Sequence, residues 1–311
     1  MKLTALVPWM GSKRTLAPEI VRQLGPHQYY FEGCAGSMSV LLAKEPSEHE
    51  CVCDLHGAMT NLALCVEMEE TADKLYRRLS RVLYSDVLYL KSKDWLNEAG
   101  DDYEGQQIGM PDEGGIQAPF SYPDLDWAYH YFIASWMGRN GVAGTARINY
   151  QIATRWTQGG GSGPLRFQNA VESIPAWCER LRNVHILRRD LFDVLPKIED
   201  APGVAIYCDP PYLTETVASN SRYLCDFSPE DHQRLADMLR AFKRARIVVS
   251  YYDHPSLDLL YEGWTKLDCS RHKHLHTQNK RGSKRTDAPE VLLVNGAAVP
   301  SASKPIGLFA E

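Results

Sequence analysis

No apolar stretch in the chain approaches the roughly 20 residues that a bilayer-spanning helix requires. Lys13 and Arg14 interrupt the N-terminal run before a signal-peptide core can form. A soluble, cytoplasmic protein with no membrane partner is therefore expected. The eight cysteines include no CxxC pair, and Cys51, Cys53, Cys65 and Cys208 lie in apolar runs where a reduced thiol serves as a small hydrophobe. That usage excludes a disulfide framework. Lys and Arg are absent from residue 94 to residue 126, whereas Arg139, Arg147, Arg155, Arg166, Arg180, Arg182, Arg188 and Arg189 follow with few acids between them. The net charge of −5 argues slightly against nucleic acid as a partner. Its segregation along the chain matters more than the sum.

At 311 residues the chain can hold one large α/β domain with an inserted lobe, or two ordinary domains. A βα rhythm runs through its first part. A helix is expected from near Thr15 to Gly25-Pro26, with Pro18 in its first turn. The turn before it, Trp9-Met10-Gly11-Ser12-Lys13, suits an anion, or is simply an exposed turn beside a buried Trp. Tyr29-Tyr30-Phe31 reads as a strand, Glu32-Gly33-Cys34-Ala35-Gly36-Ser37 as a glycine turn, and residues 38–44 as a helix. Such a turn lets backbone approach a ligand and offers free helix N–H groups. It lacks both G-x-G-x-x-G spacing and the Lys-Ser or Lys-Thr of a P-loop, which argues against a nucleoside triphosphate. A second strand, Cys51-Val52-Cys53, ends in Asp54, about 20 residues beyond the turn, where an acid can accept both hydroxyls of a ribose.

From about residue 71 the rhythm is lost until residue 183. Helices near residues 74–89 and 127–137 flank the acidic, Gly-rich segment, which reads as a long surface excursion. Beyond it, Arg139, Asn140, Arg147, Asn149, Arg155 and Trp156 mix with glycines. Those side-chain types contact phosphates and read base edges, although a basic loop without a partner has the same composition. The rhythm resumes with Val184-His185-Ile186-Leu187 and Asp190. The run Val204-Ala205-Ile206-Tyr207-Cys208 follows as a buried strand, closed by Asp209-Pro210-Pro211-Tyr212. A carboxylate, a carbonyl aimed by a proline ring and an aromatic face can together hold a planar amine. A stiff turn after a strand is the plainer alternative. Ser228-Pro229-Glu230-Asp231 caps a helix to about Lys243, and residues 246–251 and 290–294 complete the strands. Lys280, Arg281, Lys284 and Arg285 close a basic loop whose His272, His274 and His276 lack a Cys pair or an HExxH frame, so no metal is expected.

In this order the elements resemble the Dam-type adenine-specific DNA methyltransferases, from Trp9 to about Val294. The resemblance implies an α/β fold: a Rossmann-like sheet carrying S-adenosylmethionine, formed by residues 1–70 and 184–296. Residues 71–183 would be an inserted, mainly helical target-recognition lobe and 297–311 a flexible tail. It further implies cofactor contacts from Trp9, Lys13, Glu32 to Ser37, Asp54, Asp190 and Asp209, and catalysis by Asp209, Pro210, Pro211 and Tyr212 on an adenine N6 amine in duplex DNA. Arg139, Asn140, Arg147, Arg155, Lys280, Arg281, Lys284 and Arg285 are the candidates for DNA contact. Segments 227–232 and 250–251 resemble those lining the adenine pocket, but Ser250-Tyr251 stands where many relatives have Ser-Asn, which leaves the role of Tyr251 open. A monomer is expected. The recognised site, the origin in host or phage, and a cognate restriction endonuclease stay open. An amine methyltransferase acting on RNA or on protein glutamine is the nearest rival. A nucleotide-binding oxidoreductase and a cofactor-binding protein without turnover are more distant ones.

Overall fold

The computed structural model describes residues 5–9, 11–104, 123–138, 152, 162–213, 227–272 and 287–300. Its strands are β1 (Tyr29–Gly33), β2 (His49–Cys53), β3 (Val184–Leu187), β4 (Val204–Cys208), β5 (Arg246–Tyr252), β6 (Thr265–Asp268), β7 (Arg271–His272), β8 (Asp287–Ala288) and β9 (Glu290–Val294). Seven form one sheet in the order β3-β2-β1-β4-β5-β9-β6. β1 to β5 are parallel, and β9 runs antiparallel between β5 and β6. β7 and β8 make a separate short ladder. From β1 the chain winds outward through β2 to β3, then returns to β4 on the other side of β1. That reversal opens a crevice at the carboxyl ends of β1 and β4, where open α/β sheets bind ligands.

The helices are α1 (Ala17–Leu24), α2 (Gly57–Glu67), α3 (Glu69–Leu79), α4 (Asp86–Glu104), α5 (Leu125–Met137), α6 (Gly163–Val171), α7 (Ile174–Leu181), α8 (Leu191–Val194), α9 (Pro229–Ala241) and α10 (Ser256–Leu260). Strand side chains alternate between two apolar layers. Ala205, Tyr207, Val248, Leu292 and Val294 join the layer of α1, α2 and the helices that follow it. Ile206, Cys208, Ile247, Val249, Val291 and Leu293 join that of α8, α9 and α10. Every residue of β4 is buried, as a central parallel strand covered on both faces must be.

The described helices within 71–183 share the first of these layers, and Leu75, Phe132 and Trp177 lie in one apolar cluster with Leu62 of α2. Buried Asn61 fastens α5 to α2: its amide donates to the Asp124 carbonyl over 2.8 Å and accepts the Asp124 N–H over 2.7 Å. The Asp124 side chain in turn caps α5 through the Trp127 N–H at 2.9 Å. Three local expectations are corrected. The helix expected over 74–89 is two helices, broken after Leu79. The acidic stretch begins inside a helix, since α4 continues to Glu104. After the glycine turn there is only a 3-10 turn, Leu41–Ala43, so no α-helix N-terminus faces the crevice there.

Candidate active site

The turn after β1 is shaped by backbone as much as by side chains. Cys34, Gly36 and Met38 all lie in the left-handed region, with φ of 54°, 48° and 56°. Such a run is costly for Cys and Met and persists only where neighbours hold it. Here Ala35 N–H donates to the Cys53 carbonyl over 3.1 Å and Gly36 N–H to Asp54 Oδ2 over 2.7 Å. The two glycines were expected to admit a ligand, but each makes room for a protein side chain. A Cβ on Gly33 would stand 2.6 Å from Leu191 Cδ1, and one on Gly36 2.9 Å from Trp9 Nε1.

Glu32 lies beneath the turn, 2% exposed. Its Oε2 accepts from Tyr30 Oη over 2.7 Å and from Leu41 N–H over 2.8 Å, which ties the 3-10 turn back to β1. Burial pushes its carboxyl up to about 8, against the pull of those two donors. Asp54 is likewise engaged, since Oδ1 accepts from His56 N–H over 2.7 Å while Oδ2 holds Gly36. Burial raises its carboxyl, and the two N–H groups oppose the rise. Each Asp54 oxygen keeps a second acceptor direction for a hydroxyl. His56 caps α2 by accepting from Met59 N–H at 3.1 Å, and burial holds its imidazole down at about 4, so it stays neutral. Trp9 stands edge-on to it with ring centroids 5.2 Å apart. Asp190 ends β3 by capping α8 through the Phe192 N–H over 2.8 Å. Beside it Phe192 and Phe227 stack at 5.5 Å.

Asp209 leaves β4 beside Gly33, its N–H donating to the Gly33 carbonyl over 3.2 Å. Lys13 Nζ lies 2.9 Å from Asp209 Oδ1, and its side chain is 3% exposed against 22% for Asp209. The same ammonium donates to the Gly11 carbonyl over 2.8 Å and sits 4.9 Å from the Tyr212 ring centroid. Ser250 Oγ lies 2.7 Å from Asp209 Oδ1 as well. Burial raises the Asp209 carboxyl, and Lys13 and Ser250 counter it. Oδ2 takes no partner among the described residues. Pro210 is buried and Pro211 half-buried. Tyr212, 4% exposed, lies 4.3 Å from the Tyr252 ring.

Trp9, Lys13, residues 32–37, Asp54, Asp190 and residues 209–212 are thus all placed around the carboxyl ends of β1 to β4. Tyr251 is in the core: fully buried, its hydroxyl 3.0 Å from His232 Nδ1. Arg139, Asn140, Arg147, Arg155, Lys280, Arg281, Lys284 and Arg285 lie outside the described residues, as do His274 and His276. Sequence reasoning missed Tyr207 as a partner of the site. The available signal was a phenol in the middle of a doubly covered strand, which must find a hydrogen bond.

The family model for D12 class N6 adenine-specific DNA methyltransferases matches residues 9–281. The chain belongs to this family. It is an adenine-specific DNA methyltransferase, and the seven-stranded sheet is the Rossmann-like sheet of such an enzyme. No curated protein matches the chain. Membership implies DNA as substrate and, as for methyltransferases in general, the use of S-adenosylmethionine. Among the described residues of the methyltransferase, no group of three or more His, Cys, Asp and Glu side chains is placed to hold a metal, and no helix is long and apolar enough to cross a membrane.

Proposed function

We propose that the methyltransferase acts on an adenine flipped out of duplex DNA, with Asp209 and the Pro210 carbonyl accepting hydrogen bonds from the two N6 N–H groups. The observation that carries this reading is the asymmetry of the Asp209 carboxylate. Oδ1 is held by Lys13 and Ser250 while Oδ2 has no partner among the described residues. A carboxylate oxygen so placed at the switch-point crevice can accept one amine N–H. Drawing both protons toward acceptors makes the nitrogen lone pair available along a third direction, which is what a methyl acceptor needs.

The crevice residues fit the cofactor. Asp54 and Asp190 end adjacent strands with acceptor capacity to spare, the Phe192 and Phe227 rings offer a stacking surface, and Trp9 closes over the glycine turn. S-adenosylmethionine supplies a methyl group on a sulfonium that is its own leaving group, so neither a metal nor a protein nucleophile is called for. Flipping the base costs a few kcal/mol, and stacking on Tyr212 can return roughly 1–3 kcal/mol. Because Tyr212 is 4% exposed, that stacking requires Tyr252 or the Lys13 ammonium to yield. Residues 71–183 would supply target recognition through Arg139, Asn140, Arg147 and Arg155, with Lys280, Arg281, Lys284 and Arg285 against the phosphates. Labelled S-adenosylmethionine and duplex DNA, followed by nucleoside digestion, test the catalytic assignment. Asp209→Ala should abolish N6-methyladenine formation with cofactor binding largely kept, and near-normal turnover would overturn it.

A further inference from the structure

The hydrogen bonds behind Asp209 have a direction. Ser250 has a single hydroxyl proton, and a carboxylate only accepts, so Ser250 Oγ donates to Asp209 Oδ1 over 2.7 Å. Its lone pair is then the acceptor for the Tyr207 hydroxyl at 2.9 Å. Both residues are 1% exposed. They reach each other because Tyr207 pairs with Val248 in the parallel β4–β5 register, which puts Ser250 two residues further along β5 on the same face.

We propose that Tyr207 and Ser250 are positioning residues for methyl transfer: together they lock the rotation of the Asp209 carboxylate so that Oδ2 faces the incoming amine. This rests on Asp209 being the amine acceptor. The terminal torsion of an Asp side chain has a broad minimum, and without the Ser250 donor only Lys13 restrains it. Lys13 cannot set the angle alone, since an ammonium can follow either oxygen as the carboxylate turns. Tyr207 acts one step back, by fixing where the Ser250 proton points. A pair that merely satisfied a buried phenol would leave the rate of transfer untouched.

A double-mutant cycle distinguishes these cases, read as the single-turnover methyl-transfer rate at saturating DNA and S-adenosylmethionine, alongside cofactor Kd and Tm. Ser250→Ala should slow transfer by roughly 10- to 100-fold with cofactor Kd nearly unchanged. Tyr207→Phe keeps the ring and its packing, and should slow transfer less. The double variant should be as slow as Ser250→Ala alone, because Tyr207 acts only through Ser250. Its Tm should nevertheless recover toward the native value, since removing both hydroxyls leaves no orphaned phenol. A Ser250→Ala rate within about twofold of native, or a double variant whose rate recovers together with its Tm, overturns the proposal. Asp209→Ala serves as the control. Turnover by that variant removes the reading beneath the relay, whereas an inactive Asp209→Ala beside an unimpaired Ser250→Ala removes the relay alone.

Discussion

Replacing Glu32 by Gln isolates the electrostatic cost of a buried carboxyl beneath the glycine turn. Glu32 is 2% exposed, and burial pushes its carboxyl up to about 8 from an ordinary 4.5. The folded protein therefore keeps a proton that the unfolded chain releases. Stability from this group is complete below about pH 4.5 and is lost as pH rises through about 8. The interval sets an upper bound of about 5 kcal/mol on the loss. A Gln amide oxygen can accept from Tyr30 Oη and Leu41 N–H as Glu32 Oε2 does, but the side chain no longer titrates. Urea denaturation from about pH 5 to about pH 9 should show the native protein losing stability faster than Glu32→Gln, with the gap widening in favour of the variant. All other groups titrate in both proteins, so the difference belongs to Glu32. Equal losses over that range would refute a protonated Glu32 beneath the turn.

Lys13→Met removes the cation that opposes the burial-driven rise of the Asp209 carboxyl. That carboxyl should rise further, and if Asp209 accepts an amine N–H as a carboxylate, as proposed, the acid limb of the pH–rate profile should shift to higher pH. An unshifted limb would show that Lys13 does not set the charge of Asp209. Arg155→Ala distinguishes phosphate contact from base reading in the lobe. If Arg155 touches phosphate, affinity should fall for every duplex and the slope of log K against log salt should shrink by about 1; an unchanged slope with relaxed preference at one base pair would mark a base reader.

How much of this was legible in the sequence depends on how local the cause is. The strand ending in Asp209 could be read because β-propensity, two prolines and full burial are properties of adjacent residues. The turn after β1 could be located but not shaped. Residues 38–44 favour a helix by propensity, yet the left-handed Met38 and the bond from Leu41 N–H to Glu32 divert them into a 3-10 turn. In α4 the acid count concealed a buried stripe, since Tyr89, Lys93 and Leu96 are buried at helical spacing. Periodicity was the better guide there than composition. The Asp209 partners were beyond reach, because Lys13 and Ser250 meet it only once β4 and β5 are in register and the N-terminal turn has folded over them.

The strand order also bears on how two substrates share one carboxylate. β1 and β4 are neighbours whose connections depart in opposite directions, so the crevice between them has two unlike walls. Asp54 and Asp190 stand on the β2 and β3 side, whereas Ser250 and Tyr252 stand on the β5 side. On the proposed reading, the methyl donor occupies the first wall and the adenine amine approaches along the second, with Asp209 at the seam. Among the helices between β2 and β3, α5 is fastened to α2 through Asn61 and Asp124. On the same reading, DNA held by that insertion would have to bring its base across the carboxyl edge of the sheet to Asp209. A base brought to Asp209 by that route would have to leave the duplex stack, in keeping with the proposed extrusion.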